Sequence, residues 1–159
     1  MPAQTSYDLN QGVAYAGLIY AIGESVRISR DVETANGIGF GAAVSRGTDK
    51  DKQAVLGGTD FLGVTYRSLE REGADNTGAI KYSQKETAGI LRRGSVWAVC
   101  PAGCTPGQAV KYNNTTGVID QGAASSGETA LDGAYWDSTA AAGELAVLVL
   151  ENTDTTAGS

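Results

Sequence analysis

The side chains that could do chemistry are few, and their types exclude most reactions. The chain contains no histidine. That removes Ser-His-Asp and Cys-His catalysis, imidazole-ligated zinc or iron, and histidine pH switching. Its only cysteines, Cys100 and Cys104, stand in a Cys-Pro-Ala-Gly-Cys run. Two thiolates without imidazole partners do not close a tetrahedral zinc site within one chain, and the spacing is not that of a C-x-x-C motif. A disulfide here would close so short a loop that it would contribute little through chain entropy, so both residues are read as reduced, partly buried thiols. Carboxylates are what remain. Asp31 and Glu33 share one face of an extended segment, as a glycosidase pair would, and with Asn36 they offer oxygens to calcium. The spacing misses the EF-hand loop, and acids are so common on soluble surfaces that all three are read as surface residues. Asn113-Asn114-Thr115 and Asn114-Thr115-Thr116 fit the glycosylation pattern but are better read as turn residues. No catalytic residue, cofactor or metal is expected.

Charge and composition narrow the class further. Residues 1–111 hold all 12 Lys and Arg with 11 of the 18 acids, whereas residues 112–159 carry seven acids and no base. An acidic final third repels phosphate backbones, so no nucleic-acid partner is expected. The 22 glycines are about twice the usual share of roughly 7% and lie beside short β-favouring runs, which indicates many turns and an all-β fold. A length of 159 residues suits one domain with its own core.

The elements that must carry these residues centre on Ala88 to Asp120. Ile90-Leu91 and Val96-Trp97-Ala98-Val99 favour strands, and Gly94-Ser95 breaks between them. Pro101-Ala102-Gly103 and Thr105-Pro106-Gly107 are turn chemistry, and two further strands flank the Asn113-to-Thr116 loop. Such a meander exposes apolar faces that the rest of the chain must cover. Upstream, residues 1–12 read as an N-terminal arm. Val13 to Ile22, without a basic n-region and too short to span a bilayer, reads as a buried strand. Val26 and Ile28 alternate with Arg27 and Ser29, and Gly37 to Val44 reads as a strand with glycines on one face. Ser45 to Gly58 and Ser68 to Thr77 are expected as charged loops, with strands at Phe61 to Arg67 and Ala79 to Tyr82. Gly122 to Gly143 reads as a long Gly/Ala/Ser-rich loop in which Tyr135-Trp136 either pins the segment to the core or anchors a contact. Leu145 to Leu150 is apolar at every position, so both its faces should be covered; residues 152–159 read as a flexible tail. The expected architecture is one domain over 13–151, a compact β-barrel or β-sandwich of short antiparallel strands with long loops.

Several runs in order resemble the tailed-phage capsid cement, or decoration, protein family. They are Ala16-Gly17-Leu18-Ile19-Tyr20, Ile38-Gly39-Phe40-Gly41-Ala42-Ala43-Val44, Phe61-Leu62-Gly63-Val64, and Leu91 through Val99. Pro106-Gly107-Gln108-Ala109-Val110-Lys111-Tyr112 then leads to Thr116-Gly117-Val118-Ile119 and an apolar last strand, so the resemblance spans about 13–151. It implies an all-β protein that binds the outside of an assembled shell of major capsid protein and reinforces it, commonly as a homotrimer. It offers no catalytic residue to carry over, and the extended 122–143 segment departs from it. The expected location is the outer capsid surface of a virion assembled in the host cytoplasm, with no membrane partner.

On that reading the contact candidates are the arm, through Gln4, Tyr7 and Leu9, and the two charged loops, through Arg46, Lys50, Lys52, Arg67 and Arg71. Tyr135 and Trp136 are the aromatic candidates. Two alternatives stay open at this point. A carbohydrate- or receptor-binding β-sandwich of a tail or fibre would stack sugars on Trp97, Trp136 or Tyr135, and a domain of a secreted assembly would show a Cys100 to Cys104 disulfide.

Overall fold

The computed structural model describes residues 14–68 and 80–158, with the backbone alone described at Ile22, Glu24 and 152–157. The arm candidates Gln4, Tyr7 and Leu9, and Arg71 with most of its loop, lie outside the described residues. No described residue is helical. The described residues form nine strands: β1 (Ile19–Val32), β2 (Ala43–Arg46), β3 (Gln53–Leu56), β4 (Phe61–Thr65), β5 (Thr87–Cys100), β6 (Ala109–Asn113), β7 (Ile119–Gln121), β8 (Glu128–Trp136) and β9 (Glu144–Ala157). Hydrogen bonding joins them in one sheet of order β1-β3-β2-β4-β5-β9-β8-β6-β7, and β1 also pairs with β5. All-β architecture is as expected. The strands are not uniformly short, since β1, β5 and β9 each run 14 residues, and β1 pairs with β3 in parallel.

Other sequence boundaries need correction. β5 passes through the anticipated break at Gly94-Ser95 without turning. Gly94 adopts φ 129°, a conformation that disfavours side chains, at the point where the register of β1 slips between Ala21 and Val26. The glycine therefore makes a kink. The expected strand at Gly37 to Val44 is instead a bridge at Ile38 to Tyr82 followed by a turn at Phe40 and Gly41, with β2 starting at Ala43. Part of the 45–58 loop is β3, paired to β2.

Two expected irregular segments are ordered strands. The 122–143 loop contains β8, and the 152–159 tail continues β9, where Thr155 pairs with Leu131 and Asp154 with Asp132. Small residues hide β8 from a propensity reading, and its alternation is broken in the middle. Thr129 and Leu131 are buried, then Ala134 and Trp136, because a register irregularity between Asp132 and Ala134 reverses the parity.

Two clusters form the core. One gathers Leu91, Val96, Ala98, Tyr112, Trp136, Leu148 and their neighbours among β4 to β9; the other gathers Val32, Ile38, Val44, Leu62, Tyr82 and Ile90 among β1 to β5. Adjacent residues such as Ile90 and Leu91 enter different clusters because successive strand side chains point to opposite faces. β5 is thus the shared wall, and β9 lies beside it, paired from Gly94↔Leu150 to Cys100↔Glu144.

Candidate functional site

The residues with chemical potential are committed to structure. Cys100 and Cys104 are free, buried thiols. The Cys100 thiol donates to Asp120 Oδ1 at 3.4 Å and the Cys104 thiol to the Ser138 carbonyl at 3.4 Å. Burial, with the Asp120 contact second, pushes the Cys100 pKa up to about 12, so this group is a thiol and not a nucleophilic thiolate at neutral pH. Asp31 Oδ1 accepts from the Thr87 hydroxyl at 3.0 Å. Glu33 accepts from the Thr48 hydroxyl and N–H, which lowers its pKa. Asp31 therefore ties β1 to β5, and Glu33, just past the end of β1, ties the chain to the turn at Thr48. Asn113 Oδ1 accepts from the N–H groups of Thr115 and Thr116 at 2.8 and 2.9 Å, which is the turn role its sequence suggested.

The basic candidates divide. Arg46 is bonded to Asp60 at 2.7 Å, Lys50 lies 3.8 Å from the same carboxylate, and Lys52 lies 3.5 Å from Asp49. The loop's bases are thus neutralised by its own acids. Arg67 is spent on aromatic faces, with its guanidinium 4.9 Å from the Tyr15 ring centre and 5.7 Å from that of Phe40. Trp136 is removed as a contact residue because it is fully buried in the core. Tyr135, its neighbour on the strand, points the other way, and its hydroxyl donates to Glu151 Oε1 at 3.3 Å.

Tyr135 belongs to a surface that the sequence reading did not single out. On β5, Val96, Ala98 and Cys100 are buried, while Trp97 is half-buried and Val99 is 40% exposed. Register places Trp97 against Val147, Val99 against Leu145, and Val149 between Ser95 and Tyr135. Directly paired residues lie on one face. The outer side of β5, β9 and β8 is therefore an apolar band, continued across β1 by Tyr20, 56% exposed and edge-on to Trp97 with ring centres 5.6 Å apart. Beside Val99 the band opens into a groove of about 320 Å³ lined by Ala16, Phe40, Pro101 and Val118. The available signal was in Leu145 to Leu150, whose apolar residues call for two covered faces.

Over residues 3–151 the sequence matches the family described as structural cement protein (E217 gp24/Pam3 gp6). The chain belongs to the structural cement protein family. A solved structure described as the capsid of Myoviridae Phage XM1 shares its fold, with a TM-score of 0.70 at 16% identity, covering 87% of this chain and 91% of that one. Among curated proteins nothing matches. As a cement protein, the chain is a structural component of the phage capsid and associates with its shell. The tail or fibre alternative is not favoured, and of its three candidate stacking residues Trp136 is buried.

Proposed function

We propose that this cement protein attaches to the outer surface of the assembled capsid and stabilises it by lying across neighbouring shell subunits, as a homo-oligomer with a trimer favoured. The observation that carries the reading is the family match, which spans β1 to β8 and β9 as far as Glu151. The physical character of the chain supports it. Long strands knit one sheet around two cores, and the reactive groups are buried or hydrogen-bonded. A reinforcing protein needs such stiffness and many modest contacts repeated by symmetry, so that avidity replaces any single strong site.

Co-sedimentation with preassembled shells tests this. The protein is expected in the pellet with mature capsids, at a saturating ratio fixed by the shell's symmetry. Retention in the supernatant at saturating concentration would reject the proposal. Sedimentation equilibrium of the free protein tests the trimer, and a monomer that persists at high concentration would place oligomerisation on the shell.

A further inference from the structure

We propose that the outer face of β5, β9 and β8 is the surface that docks on the shell, and that it receives a shell-protein segment with an apolar centre bordered by Lys or Arg. This rests on the cement reading above and adds which surface is used and what it selects.

The first support is a mismatch between sequence and structure. Six consecutive apolar residues, Leu145 to Leu150, specify a strand covered on both sides. The fold covers one side: Ala146 and Leu148 are 0% and Leu150 1% exposed. On the other side only Val147, 4% exposed, is covered, while Leu145 and Val149 on either side of it are half-buried beside Trp97, Val99 and Tyr135. An antiparallel sheet with one face in solvent ordinarily carries polar residues there. Contiguous apolar surface rimmed by polar groups is the usual mark of a protein contact, and Trp and Tyr are its usual anchors.

The second support is the border, which identifies the occupant. Asp137, Glu144 and Glu151 are exposed around the β8 and β9 side, and no Lys or Arg follows Lys111 in the sequence. Arg93 enters only at one corner, where it lines a hollow with Val149 and Glu151. A second copy presenting this same face would bring one acidic border against another, which opposes a two-fold self-pairing. A basic-bordered shell segment complements it. The ion-paired 46–60 loop has no comparable excess charge to offer.

Val99→Asp places a charge at a 40% exposed position of the band, opposite Leu145 and beside the groove, and Val26→Asp makes the same change at a 48% exposed position on β1. With circular dichroism and thermal midpoint confirming the fold, occupancy on preassembled shells is expected to fall about tenfold or more for V99D and to stay at the wild-type level for V26D. A Glu144→Gln/Glu151→Gln double variant should bind more weakly and lose most of its salt dependence. Hydroxyl-radical footprinting of the wild-type protein needs no variant. Tyr20, Trp97 and Tyr135 should become protected on shells, with Ile80 unchanged. Wild-type occupancy by V99D, or protection confined to other residues, overturns the docking face while leaving the cement reading intact. Self-association of the free protein that V99D abolishes overturns it too, by assigning the band to a second copy. Failure of the wild-type protein to bind shells defeats the cement reading and this proposal with it.

Discussion

At the scale of single residues, the molecule uses its reactive groups as fastenings. Glu128 Oε2 accepts from the Ser125 N–H at 2.8 Å, from the Ser125 hydroxyl at 2.7 Å and from Lys111 Nζ at 2.9 Å. The Ser125 N–H chiefly, then Lys111 and the Ser125 hydroxyl, hold its pKa down to about 2 from 4.5. Because the folded value is the lower one, its contribution is complete above about pH 4.5 and is lost as pH falls towards 2. Glu128→Gln is expected to lower the thermal midpoint by roughly 2–4 °C at neutral pH, about 1 kcal/mol for a chain of this size, and to flatten the stability loss in that acid window. Acid-titrated thermal unfolding of both proteins checks it; superimposable curves would contradict it. The cysteines give a second expectation. With both thiols buried and the Cys100 pKa at about 12, an aromatic disulfide reagent at pH 8 should leave native protein unlabelled and modify both thiols after denaturation. Rapid labelling of the native protein would contradict the buried positions. Gly63 is a packing constraint of another kind. A Cβ there would strike the Leu91 carbonyl and come within 2.6 Å of Ile90 Cγ2. Gly63→Ala should therefore cost about 1–3 kcal/mol, read as a lowered urea midpoint with unchanged slope.

At the scale of elements, β9 carries the most consequence. Its first half completes the core beside β5, and its second half gives β8 a partner from Thr129 to Asp132. Removing residues 152–159 should thus lower the thermal midpoint by several degrees and speed amide exchange along β8, whereas trimming a frayed tail would change neither. The same strand shows what was legible in sequence and what was not. The centrality of Leu145 to Leu150 and the Asn113 turn between β6 and β7 could be read directly, because an unbroken apolar run and an Asx-type turn are local signals. β8 could not, because the irregularity at Asp132 to Ala134 breaks its period and because Glu128–Trp136 is held by pairing with β6 and β9. The contact surface was half legible. Tyr135 stood out by type, but that Trp97, Val99, Leu145 and Val149 share its face depends on register between distant segments, which no local pattern encodes. The neutralisation of Arg46, Lys50 and Lys52 was hidden for the same reason where the partner was Asp60.

At the scale of the whole molecule, the protein is a β scaffold with segregated charge, belonging to a family of structural cement proteins. Bases lie within residues 1–111, whereas 112–159 holds seven acids and no base, and the structure sets an apolar band beside that acidic side. Reinforcement then follows from coverage. Each copy excludes water from a modest surface, and the symmetry of the shell multiplies the effect. The most direct test is the temperature at which preassembled shells lose integrity, followed by light scattering with and without saturating protein. The account predicts a rise of several degrees that scales with occupancy and is absent with V99D; full occupancy by the wild-type protein with no change in that temperature would contradict it.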